Sequence, residues 1–79
     1  AVGAEARIVE EIVLTKALNG FLAKLPPETR IIFMRRYWYL STVREIARDL
    51  GVGESKVKMT LLRTRNALQQ KLEEEGIVL

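Results

Sequence analysis

Residues 42–61 read TVREIARDLGVGESKVKMTL, and this stretch decides the fold. Thr42-Val43-Arg44-Glu45 has the spacing of a capping box. In that device the threonine oxygen accepts from the Glu45 backbone N–H, and the Glu45 carboxylate reaches back to the N–H of Thr42. A short helix is expected from there through Leu50, ending at Gly51, where a left-handed backbone is needed and glycine adopts it cheaply. A further helix is expected to begin at about Glu54. Two helices that cross steeply through so short a turn constrain the residue types around it. Ala47 is small where a larger side chain would hold the helices apart, and Ile46, Leu50, Val52, Val57 and Leu61 are apolar where the intervening core must be sealed. All occur in order, so the stretch predicts a helix-turn-helix extending over about residues 42–70.

Upstream, residues 5–24 predict one amphipathic helix. Ile8, Ile12, Leu18, Leu22 and Leu25 recur at three- and four-residue steps, and Val9, Val13 and Phe21 widen the stripe. Asn19-Gly20 is a weak spot within it, the glycine costing on the order of 1 kcal/mol relative to alanine. Pro26 and Pro27 end this helix, because a residue before proline is pushed out of the helical region. Pro27 then suits the first turn of a second helix, with Glu28 near its positive end. That helix is expected to reach about Trp38, with Ile32, Phe33 and Tyr37 in the core and Tyr39-Leu40-Ser41 as the connection to Thr42. Trp38 and Tyr39 are expected at the helix end or partly exposed.

Downstream, the helix from Glu54 is expected to run to about Glu75, burying Val57, Leu61, Leu68 and Leu72, and to close at Gly76. Glu73-Glu74-Glu75 reads as a solvated last turn whose negative charge opposes the helix dipole. No strand pattern or internal repeat occurs. The fold class is therefore all-α: a four-helix domain with a C-terminal helix-turn-helix, residues 1–79 forming a single domain.

Composition narrows the function. The 79 residues are 48% hydrophobic and 29% charged, as in a globular chain near the lower size limit for a single apolar core. There is no cysteine and no histidine, which excludes a disulfide framework, a Cys/His zinc site and catalysis by either residue. The acids are scattered over helix surfaces, so no acid/base or metal-ligand set can be assembled; no enzyme activity, metal or cofactor is expected. No apolar run approaches the ~20 residues that span a bilayer, and no signal-peptide layout opens the chain. A cytoplasmic protein without membrane contact is expected. The first residue is Ala rather than Met, which predicts a processed chain or a fragment of a longer one.

The net charge of +3 conceals an uneven distribution. Residues 30–65 carry nine basic and three acidic groups, while the segments before and after are mildly acidic. A positive middle of this kind is the footprint of a nucleic-acid-binding surface. In a helix-turn-helix the second helix lies in the major groove and its N-terminal half meets base edges. With Val57 and Leu61 facing inward, Ser55, Lys56, Lys58, Met59, Leu62 and Arg63 face outward. Lysine and arginine donate to guanine O6 and N7, serine serves several bases, and methionine or leucine contacts a thymine methyl. Arg44, Arg48 and Arg65 are better placed for phosphates, which fix register and affinity but not sequence preference.

Several short patterns recur together: Leu25-Pro26 opening the second helix, Arg30-x-Ile32-Phe33-x-x-Arg36-Tyr37 along it, Glu45-Ile46-Ala47, Leu50-Gly51-Val52, and Val57-Lys58 with Leu61-x-Arg63-x-Arg65-x-x-Leu68. As a set, from Leu25 to Leu72, they resemble region 4 of bacterial sigma factors of the sigma-70 family, particularly the compact extracytoplasmic-function type. The resemblance implies recognition of the −35-type promoter element on double-stranded DNA and docking on the flap of the RNA polymerase β subunit. It places Lys58, Met59, Leu62 and Arg63 on the DNA-reading face, Arg36 and Arg44 toward the DNA backbone, and the flap at the first helix and the apolar groove beside the second. An anti-sigma factor is a further candidate partner. The chain departs from the family pattern in two places. Tyr39-Leu40-Ser41 stands where a glycine-containing connection is common, and Gly53 caps the recognition helix where serine or threonine often does, a weaker choice. Nothing resembles the family's other conserved region, which melts the −10 element, so the chain is expected to be the C-terminal domain of a longer sigma factor.

Two other readings fit the same residues. A stand-alone or response-regulator-type helix-turn-helix regulator would bind a two-fold-related site as a dimer, through the acid-rich first helix. A pure interaction module would make no use of the basic middle. The full set of patterns from Leu25 to Leu72 favours the promoter domain, acting as a monomer.

Overall fold

A computed structural model describes residues 2–77, with side-chain surroundings from Arg7 onward. Four helices follow in order: α1 (Val2–Lys24), α2 (Pro27–Tyr37), α3 (Val43–Leu50) and α4 (Glu54–Glu74). Among the described residues there is no strand, so the expected all-α, four-helix architecture holds.

The helix ends follow local chemistry. Thr42 Oγ1 accepts from the Glu45 N–H at 3.1 Å, and Glu45 Oε1 accepts from the Thr42 N–H at 3.0 Å, completing the capping box. Gly51 takes φ +67°. The N–H groups of Gly51 and Val52 then turn back to the carbonyls of Arg48 and Ala47 at 3.3 and 3.0 Å. Gly76, at φ +71°, ends α4 the same way: its N–H reaches Glu73 and that of Ile77 reaches Leu72, at 3.0 and 2.8 Å. Both ends satisfy carbonyls that a helix otherwise leaves orphaned. Gly53 precedes α4 with no side-chain cap bond.

The core sits between α2, α3 and α4. Ile32, Ile46 and Val57 are fully buried, joined by Ala47 and Leu61, with Phe33, Val43, Leu50 and Val52 packed around them. Thr64 is also buried, its hydroxyl donating to the Thr60 carbonyl one turn back at 2.7 Å. A threonine that bonds its own helix in this way can occupy an apolar seam without leaving a polar atom unsatisfied.

Two expectations about the core need correction. Ile8, Val9, Ile12 and Val13 are exposed at 57, 59, 51 and 46%. Among the described residues of α1 the buried ones are Ala17 and Phe21, flanked by half-buried Leu14, Leu18 and Leu22, with Leu25 just beyond the helix. With roughly 100° between successive residues, Ile8 and Ile12 lie across the helix from Phe21. Periodicity identifies a face able to be buried; burial also needs an element opposite it, and among the described residues only the second half of α1 has one. The second correction is Tyr37, which is 43% exposed rather than a core residue. Its ring packs against Phe33 with centroids 4.9 Å apart, and its hydroxyl points to α4.

Arg30 builds the corner between α1 and α2. Its Nε donates to the Leu22 carbonyl at 2.9 Å and its Nη2 to those of Ala23 and Leu25 at 3.1 and 3.0 Å. One guanidinium thus closes the last turn of α1, where positive charge also meets the negative helix end.

Candidate nucleic-acid interface

The face of α4 opposite the core is the candidate surface. Its inner side is Val57, Leu61 and Thr64. Helical spacing then puts Ser55, Met59 and Leu62 on the outer side, Lys58 and Arg65 along one flank, and Lys56 and Arg63 along the other. All seven are exposed, Met59 and Leu62 at 46 and 43%. Arg44, in the first turn of α3, is exposed as well. Arg36 is half-buried and donates to the Ser41 carbonyl at 3.4 Å, so its guanidinium is tied to the connection ahead of α3.

The cations differ in what holds them. Among the described residues, Arg44, Lys58 and Arg63 make no intramolecular hydrogen bond or ion pair. Lys56 Nζ lies 2.8 Å from Glu28 Oε1. Arg65 Nη1 donates to the Tyr37 hydroxyl at 2.7 Å. Arg48 Nε meets Asp49 Oδ1 at 3.1 Å, and the other oxygen of Asp49 accepts from Arg35 Nη1 at 2.8 Å. Paired cations are occupied unless a ligand outcompetes their partners; unpaired ones are available to the first phosphate or base edge they meet.

These contacts also locate α2. It crosses behind α4, its first turn meeting one flank through Glu28–Lys56 and its last turn meeting the other through Tyr37–Arg65. The Arg35–Asp49 pair joins α2 to α3. None of these ties was legible in the sequence, because the partners lie 14 to 28 residues apart and no local pattern links them.

Two carboxyls carry perturbed acidities. Glu45 is held below the usual carboxylate range, chiefly by the Thr42 N–H and hydroxyl and then by the positive charge of Arg48. Asp49 is likewise lowered, first by Arg35 and then by Arg48. Neither has acid/base reach to another group that chemistry would use, and among the described residues no cluster of metal-ligating side chains occurs. Both act as anchors for the helix-turn-helix.

A second surface lies between α1 and α2. A groove of about 350 Å³ is lined by Leu18, Leu22, Phe33, Met34, Tyr37 and Trp38, with Thr15 and Asn19 at its rim. Trp38 is 74% exposed there. Among the described residues no helix is long and apolar enough to cross a membrane.

In a comparison with known families the chain matches the model described as sigma-70, region 4, over residues 15–68. The match begins inside α1, earlier than the motif set at Leu25, and covers α2, α3, the turn and two-thirds of α4. No curated protein matches the sequence.

Proposed function

The chain belongs to the sigma-70 region 4 family, and from that premise we propose that α4 reads a −35-type promoter element from the major groove. The family consists of DNA-binding domains that act with RNA polymerase in transcription initiation, and it is not a family of enzymes. The observation that carries the finer reading is the outer row Ser55, Met59 and Leu62 bracketed by Lys58 and Arg63, two cations without internal partners among the described residues, on the helix that follows the turn. Apolar and hydroxyl groups there suit thymine methyls and base edges, and the two cations suit guanine. Arg44, Arg36 and Arg65 fall where phosphates would run, fixing the register.

On this reading residues 1–79 work as one monomeric DNA-binding domain of a longer, cytoplasmic sigma factor of the extracytoplasmic-function type. Melting of the −10 element is supplied from outside this chain. The groove between α1 and α2 takes the β-subunit flap: Leu18, Leu22, Phe33 and Met34 offer an apolar floor, and the exposed Trp38 is an aromatic anchor of the kind that dominates protein interfaces. An anti-sigma factor able to cover either surface would silence the domain. Affinity for DNA alone should be modest, because tethering to polymerase supplies effective concentration.

An NMR titration of the labelled chain with a short promoter duplex, at low and then moderate salt, tests this. Shifts are expected at residues 54–65 and at the start of α3, fading as salt rises. Shifts absent at low salt, or confined to α1, would overturn the DNA reading.

A further inference from the structure

Lys56 is the cation nearest the N-terminus of the DNA-reading helix, and it is the one already bound to an acid of another helix. Its Nζ lies 2.8 Å from Glu28 Oε1, with side chains 56 and 50% exposed. Glu28 belongs to the first turn of α2, which crosses behind α4. Lys56 stands seven residues before Arg63, two turns earlier on the same flank, so it lies beside the groove that Arg63 enters and within reach of that groove's phosphates. Arg63 comes to the DNA unpaired among the described residues; Lys56 comes with its charge already matched.

We propose that Glu28 is an affinity-setting residue of the DNA interface: it keeps Lys56 as an intramolecular pair in the bound state and so removes one phosphate contact from the flank. The inference rests on the DNA reading above. The pair is solvent-accessible, so its contribution to the stability of the fold is small. Its geometric effect is larger. Lysine is a compact point charge on a flexible stem, and Glu28 sets where that charge sits. Loss of Glu28 therefore changes how many phosphates the domain neutralises more than how well it folds.

The test measures duplex affinity against salt for the wild-type chain, Glu28→Gln, Lys56→Gln and the double variant, with thermal unfolding of each. Glu28→Gln is expected to bind roughly fivefold tighter at 50 mM salt and to steepen the log–log salt slope by about 0.9, the value of one added phosphate contact. The gain should vanish when Lys56 is also glutamine, since the cycle isolates their coupling. Unchanged affinity overturns the proposal. Tighter binding with an unaltered slope overturns it too, because the pair would then already open in the wild-type complex. A gain that survives in the double variant reduces Glu28 to plain repulsion of DNA and likewise overturns it. A wild-type chain without affinity for any duplex overturns the DNA reading itself and this inference with it.

Discussion

The Tyr37 hydroxyl accepts a 2.7 Å hydrogen bond from Arg65, so the residue that ends α2 also steadies a flank of α4. Because the Tyr37 ring also lines the α1–α2 groove, the groove and the DNA-facing helix share one side chain. Tyr37→Phe keeps the contact with Phe33 and loses only an exposed hydrogen bond, so it should cost no more than about 1 kcal/mol. Tyr37→Ala also removes the ring and should cost clearly more. Denaturant unfolding of the two variants separates hydroxyl from ring.

Leu40 occupies the connection between α2 and α3 at φ +56° while 76% exposed. A non-glycine residue in that region carries about 1–2 kcal/mol of strain, and an exposed side chain returns little packing to offset it. Leu40→Gly should therefore stabilise the domain by up to about 1 kcal/mol after the extra entropy of glycine is counted. Leu40→Ala keeps the strain and should give no such gain. Equal stability of the glycine and alanine variants in urea would remove strain as the explanation.

Glu45 and Asp49 have folded-state pKa values below their ordinary ones of 4.5 and 3.8. A depressed carboxyl contributes stability that is fully present above its unfolded pKa and is lost as pH falls through its folded one. Stability should be level with respect to these groups near neutrality and decline below about pH 4.5. Glu45→Gln retains an acceptor for the Thr42 N–H but cannot titrate, so its decline should be shallower. Thermal melts from pH 7 to pH 3 would show the two curves converging as acid is added; parallel curves would contradict the assignment.

Arg63→Ala should lose about 1–3 kcal/mol of duplex affinity and relax preference at one base pair if the contact is bidentate. Arg44→Ala should weaken all sequences alike and flatten the salt slope by about 0.9. Competition binding with single-base variants of the duplex distinguishes the two. Uniform loss for Arg63→Ala would make it a phosphate contact.

Ile32 is fully buried and Ile12 is 51% exposed, though both fit apolar helical periods. Ile32→Ala should cost about 2–5 kcal/mol. Ile12→Ala should stay within about 0.5 kcal/mol. A large cost at Ile12 would mean that α1 is covered in solution.

These contrasts mark what the residues made readable. Thr42–Leu61 was legible almost atom by atom, because a capping box, a left-handed glycine and a small alanine each have one local explanation and all three agree. Exposure along α4 followed from the same register. The left-handed Leu40 was hidden, since nothing in leucine signals such a backbone; only the departure from a glycine-containing connection pointed there. The ties Glu28–Lys56, Arg35–Asp49 and Tyr37–Arg65 depend on how α2 crosses its neighbours, a tertiary angle that no sequence period encodes. Ile8 and Ile12 misled for the opposite reason, their local pattern being sound and their partner absent among the described residues.

The corner at Arg30 has a consequence in time. Its three acceptors lie only five to eight residues back along the chain. Loops of that length close in roughly 10–100 ns, and their closure entropy is small. The contact of Ile32 with the α4 side of the core must instead gather segments much farther apart in sequence. The α1–α2 elbow is therefore expected to form first and the helix-turn-helix to condense onto a preformed α2, so that Arg30→Ala slows folding more than it speeds unfolding.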